Sequence, residues 1–165
     1  MRAILKGMRV QKRGDPIVSL VTGEAEAMPA FSATEIEALA PRLSQALSMA
    51  LPGEIVTFYR RYSDPNVGLA VTSGGLFLRE HYVYLILANH RNRPSDVMGH
   101  SQAVVYEIDP SGDPLFSLKA LSFAVSFTPE IAVELTPRWP WEYRDPGKTV
   151  VVNLDWLNHQ PKADR

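Results

Sequence analysis

The joints between the apolar runs of this chain are too short to permit most architectures. Asp64-Pro65-Asn66 follows the run 54–61, Glu80-His81 separates 68–79 from 82–90, and Asp109-Pro110-Ser111-Gly112 closes 102–108. A parallel crossover needs on the order of a dozen residues or more, so runs joined this closely lie antiparallel. The same reading extends to 119–127 and 148–154. In 119–127, Leu121, Phe123, Val125 and Phe127 alternate with Ser122, Ala124 and Ser126, as in a strand with one wet face. Tyr82 to Ala88 is apolar on both faces, which places it at the centre of the sheet. One of its faces is expected under a helix and the other under a further layer, for which 128–146 is the candidate.

The helix is equally legible. Ser32-Ala33-Thr34-Glu35 fits a capping box, with Phe31 placed to act as its hydrophobic staple. Ile36, Leu39, Ala40, Leu43, Ala46, Leu47, Ala50 and Leu51 then recur at helical spacing, which predicts one amphipathic helix over 33–51. Pro41 lies opposite that stripe and is expected to bend the helix rather than break it. Leu51-Pro52-Gly53 stops it.

Elsewhere the pattern is thinner. Residues 2–11 and 16–21 read as an N-terminal hairpin within the segment 1–22, turning at Lys12-Arg13-Gly14-Asp15-Pro16. Thr128 caps and Pro129 opens a helical turn expected to run through Leu135. The polar tail 160–165 is expected to be disordered. The fold class is therefore α+β: an antiparallel sheet of about six to eight strands packed on one long amphipathic helix, with residues 1–165 forming a single domain.

Composition closes several functional classes. Hydrophobic residues are 45% and charged residues 21%, enough to build a core and too apolar for a disordered chain. A net charge of −1 gives no long-range field for gathering nucleic acid. Phe58-Tyr59 beside Arg60-Arg61 lacks the glycine-aromatic signature of an RNA-binding sheet, and no phosphate-cradling glycine loop is present. Charge is nevertheless uneven: Arg2, Lys6, Arg9, Lys12 and Arg13 make the first thirteen residues basic, whereas Glu107, Asp109, Asp113, Glu130 and Glu134 are acidic. There is no cysteine, which excludes disulfides, thiolate metal sites and a cysteine nucleophile. No run is long enough to be a transmembrane segment, and the apolar stretches near the start are too short for a secretory signal.

Candidate site residues gather where the central strand ends. Asn89, His90, Arg91 and Arg93 form a donor-rich exit, and Arg60 with Arg61 ends a neighbouring strand on the same side. Guanidinium groups so placed suit bidentate recognition of a small anionic ligand, a carboxylate or phosphate. The competing reading is solvated strand ends whose arginine stems cover apolar surface. His90, Asp96 and His100 occupy the long loop 89–101, but spacings of six and four match no established metal pattern, so neither a metal nor another cofactor is assigned. Thr72-Ser73-Gly74-Gly75 resembles a nucleophile turn only superficially. Strand residues flank it on both sides, so the glycines are expected to mark a bulge or a close backbone approach, and no catalytic residue is assigned. Trp139, Trp141 and Tyr143 form an aromatic, proline-stiffened loop suited either to closing the open face of the sheet or, if exposed, to a protein partner.

The runs Ile55-Val56-Thr57-Phe58-Tyr59, Thr72-Ser73-Gly74-Gly75-Leu76-Phe77 and Leu85-Ile86-Leu87-Ala88-Asn89-His90-Arg91 resemble a group of uncharacterised bacterial envelope or lipoprotein-like proteins over residues 32–91. In that group a capped helix precedes a β-meander. The resemblance implies an envelope or periplasmic setting, with an export signal and a lipidated cysteine ahead of the domain, and it supplies no site residues. Together these features lead to a non-enzymatic interaction or assembly module, binding a protein partner or a second copy of itself. The alternative is a small-anion-binding or hydrolytic protein centred on Asn89, His90, Arg91 and Arg93.

Overall fold

The computed structural model describes residues 1–13, 25–64, 68–92, 111–118, 123–134 and 146–158. A short helix α1 (Arg2–Gly7) leads into strand β1 (Met8–Lys12), followed by the two-residue strand β2 (Met28–Pro29) and helix α2 (Ala33–Met49). Three long strands come next, β3 (Val56–Asp64), β4 (Gly68–Arg79) and β5 (Tyr82–Asn92), then β6 (Phe123–Phe127), β7 (Thr149–Asn153) and a terminal helix α3 (Leu154–Asn158). Pairing is antiparallel throughout, in a three-stranded sheet ordered β2-β1-β6 and a four-stranded sheet ordered β3-β4-β5-β7.

The α+β class with antiparallel sheets is as the sequence predicts, and two finer expectations are corrected. The strands divide between two sheets rather than forming one of about six to eight, because β6 pairs with β1 while β7 takes the edge of β5. An alternating pattern shows which face of a strand is wet and says nothing about its partner. Nor is the sheet carried on one long amphipathic helix. Leu43 and Ala40 are the apolar side chains that α2 fully buries, and the cap at Ala50 is extended, leaving Leu51 67% exposed beyond the helix end. The expected stripe therefore runs two residues, Ala50 and Leu51, past the helix end.

The main core lies between the sheets. Val83, Leu85 and Leu87 of β5, with Val150 and Val152 of β7, meet Met8, Val10, Phe123 and Phe127 of the smaller sheet, and Ile4 and Leu5 of α1 join them. Helix α1 thus replaces the start of the expected strand 2–11, whose remainder does form β1; the second expected strand, 16–21, lies outside the described residues. Ile4, Leu5 and Met8 are buried together because they recur at helical spacing, a signal that the short apolar run concealed. A smaller cluster on the opposite face of β5 joins Phe77, Tyr84, Ile86 and Val151, and its cover includes Leu115; most of the expected cover 128–146, residues 135–145, lies outside the described residues. The described part of that segment instead sends Ala132 into the main core. Its helical turn is only the 3-10 stretch Glu130–Ala132, with Pro129 at the cap and no side-chain cap bond from Thr128.

Central placement of β5 agrees with its two-sided apolar pattern, since Val83 through Asn89 is buried. Pro41 lies inside α2, as the opposite-face argument expects. The expected strands 102–108 and the start of 119–127, and the tail 160–165, lie outside the described residues.

Candidate functional site

The end of β5 carries the chemistry, and an irregularity decides where each side chain goes. Gly74 pairs with Leu87, Ser73 with Asn89 and Val71 with Asn92, so β5 holds an extra residue at each of two register shifts. A β carbon on Gly74 would overlap the carbonyl oxygen of Ile86, so the glycine permits the close backbone approach read from the sequence. Each extra residue reverses the in-out alternation of the strand. Arg91 takes φ +50 within this irregular stretch, a left-handed conformation that an arginine seldom adopts. The result separates Asn89, His90 and Arg91, which the sequence places in one cluster.

Asn89 turns into the protein. Its Nδ2 donates to Ser73 Oγ at 2.9 Å and to the Phe116 carbonyl at 2.7 Å, while its Oδ1 accepts from Asn92 Nδ2 at 3.1 Å and from the Leu118 backbone N–H at 2.9 Å. An amide side chain has two donors and two acceptor positions, and here all are engaged. Beside it, buried Lys148 donates to the Ala88 carbonyl at 3.0 Å and to Ser117 Oγ, with its ammonium 4.7 Å from the centre of the Phe123 ring. Asn89 and Lys148 therefore fasten the segment 111–118 to the sheet. Ser73, fully buried beneath Asn89, belongs to the same structural set.

His90 faces the main core. Its Nε2 lies 3.0 Å from the Ala30 carbonyl, and its ring meets Phe123 edge-on at 5.9 Å. A carbonyl only accepts, so Nε2 carries the proton. Burial pushes the His90 pKa down, helped by Arg91 and Lys12 and opposed by the Ala30 bond and Glu35, which keeps the ring neutral near pH 7.

Arg91 and Arg60 converge on a residue that the sequence reading treats only as a helix cap. Glu35 accepts the Ser32 backbone N–H at 2.6 Å, and its own N–H donates to Ser32 Oγ at 3.3 Å, completing the expected capping box. It is only 3% exposed. Its Oε1 accepts the Tyr62 hydroxyl proton, Arg91 Nη2 stands 3.5 Å from Oε2, and Arg60 Nη1 stands 3.8 Å from Oε1. Both guanidinium groups also lie against the Tyr62 ring, 5.0 Å for Arg60 and 5.8 Å for Arg91.

Burial raises the Glu35 pKa, but the Tyr62 hydroxyl, both Ser32 contacts and Arg91 together more than offset it, so the carboxyl ends below its ordinary value. Tyr62 is pushed up to about 12 by burial and by the carboxylate it faces.

The two arginines are not exhausted by this carboxylate. At 3.5 and 3.8 Å they are held by charge rather than by short hydrogen bonds, and Arg60 Nη1 is buried without an acceptor among the described residues. Two guanidinium charges against one carboxylate leave a positive excess. Arg91 keeps 56% of its side chain exposed, so the pair opens to solvent.

The structure thus brings Arg60 and Arg91 together, turns Asn89 and His90 elsewhere, and adds Glu35 and Tyr62. A signal for Tyr62 was available: Phe58, Arg60 and Tyr62 alternate on one face of β3. Arg93, Asp96, His100, Trp139, Trp141 and Tyr143 lie outside the described residues. Among the described residues no group of three or more acidic or histidine side chains is placed to hold a metal, and no helix is long and apolar enough to cross a membrane. No family model, curated protein or solved structure matches this chain.

Proposed function

We propose that this protein is a non-enzymatic recognition module that binds an oxyanion, a carboxylate or phosphate group carried by its partner, between Arg60 and Arg91. The observation that carries this reading is the buried Arg60 Nη1, which has no acceptor among the described residues, set in a pair of guanidinium groups that there share a single carboxylate. Desolvated guanidinium donors favour a planar or tetrahedral oxyanion with which they can form short, charge-assisted bonds. Tyr62 stiffens the pair by lying under both cations. Glu35 holds the site positive by only one charge, which favours exchange with an incoming anion over permanent capture.

Among the described residues Tyr62 is too weak an acid for hydrolysis and His90 directs its proton to Ala30, which supports the non-enzymatic reading. A setting in the bacterial envelope is proposed from the resemblance of residues 32–91 alone.

Titration calorimetry with inorganic phosphate and with malonate tests the reading. Saturable binding by the wild type should weaken about tenfold or more in Arg91→Ala, whose exposed head leaves the fold intact. Heat that is absent in the wild type, or unchanged in Arg91→Ala and in Arg60→Ala, would sink the proposal.

A further inference from the structure

On the other side of the α2 N-terminus, α1, β1 and β2 enclose a groove of about 460 Å³, independent of the arginine pair. Ala3, Pro29, Phe31 and Ile36 give it an apolar wall, and Arg2, Lys6 and Arg9 give it a basic rim. The rim cations are not equivalent. Arg2 is paired with Glu37 at 2.7 Å, and Arg9 donates to the Lys6 and Met8 carbonyls at 2.8 and 3.2 Å. The Lys6 ammonium, exposed at the last turn of α1, has no acceptor among the described residues.

We infer that this groove docks an acidic peptide segment of a partner protein, seating one apolar side chain against Pro29 and Ile36 while a neighbouring carboxylate meets Lys6. Charge decides the sign of the occupant: three cations and one acid, the acid already paired, leave an excess of positive charge around an apolar wall. Shape decides between a peptide and an anionic bilayer. A concave groove accepts a protruding side chain, whereas a membrane surface meets a convex apolar face. An apolar anchor inside a charged rim is also how small interfaces divide affinity from selectivity.

The test measures fluorescence anisotropy of a labelled short peptide alternating glutamate and leucine. Controls alternate lysine with leucine and glutamate with serine, and phosphatidylglycerol vesicles are run beside them. The protein is the full chain, together with Lys6→Glu, which reverses the free rim charge, and Ala3→Trp, which fills the groove from an exposed helix position. Circular dichroism confirms that both variants fold.

The glutamate-leucine peptide should bind saturably to the wild type, exceed both control peptides, and lose about tenfold or more in affinity in each variant. Phosphate binding at Arg60 and Arg91 should stay unchanged in both, which separates failure of this inference from failure of the anion reading. Equal binding of the lysine-leucine peptide, retention of affinity in both variants, or binding to vesicles without binding to the peptide would overturn it.

Discussion

Two polar clusters hang from the same strand end, around Asn89 and around Glu35, and they answer burial in opposite ways. Asn89 is neutral and reaches each partner at 2.7–3.1 Å, so the atoms that folding removed from water were all given replacements. The Glu35 cluster is charged, its ion pairs lie at 3.5 and 3.8 Å, and one buried donor has no acceptor among the described residues. A closed network holds a fold in place, while one that retains charge and donors keeps capacity for something else. Proximity in sequence does not distinguish them. The state of their hydrogen bonds does.

The largest expected effect comes from breaking the closed side. Asn89→Ala strands the Leu118 N–H and the Phe116 carbonyl in the interior and should cost about 3–5 kcal/mol of stability by urea unfolding. A loss under about 1 kcal/mol would show that water readily replaces the asparagine and that the cluster is not closed.

Glu35→Gln sharpens the comparison from the open side. Glutamine preserves the helix cap but removes the charge that the arginines share, so stability should fall by about 1–2 kcal/mol while phosphate affinity rises several-fold. Calorimetry and unfolding on one sample distinguish this from a purely structural Glu35, for which affinity would not rise.

Acid should act first at His90, which faces the main core, and then at the open Glu35 cluster. The folded-state pKa of His90 lies below its ordinary 6.5 and that of Glu35 below its ordinary 4.5, so the unfolded chain takes up protons before the folded one. Their contributions are complete above those values. Each is lost as pH falls below the ordinary value and through the depressed folded one, His90 first. In His90→Gln the upper part of the decline, beginning near pH 6.5, should vanish from a urea series, while the part below 4.5 remains. An unaltered upper limb would assign that decline to other groups.

What the sequence could reveal follows from which interactions are local. The capping box of Ser32 and Glu35, the Glu80-His81 turn and the two-sided apolar run of β5 are decided within a few residues, and each is found where it was read. The bulge beside Gly74 was legible as well, because only a glycine tolerates the Ile86 carbonyl there.

The division into two sheets was not, since β1 and β6 are joined by nothing that spacing records. The site was half legible. Arg60 and Arg91 announce themselves by charge, but Glu35 and Tyr62 meet only after α2 packs beside β3. The bulges that turn Asn89 and His90 away depend on a pairing register that no single strand encodes.

The central claim, that one cluster is open and the other closed, is tested most directly by nitrogen-edited NMR during a phosphate titration. The Arg60 and Arg91 Nε–Hε signals should move along a common saturable curve while the Asn89 side-chain NH₂ pair stays fixed. A shift of the Asn89 pair with no movement of the arginines would contradict the account, because the ligand would then enter the network that the structure shows fully engaged.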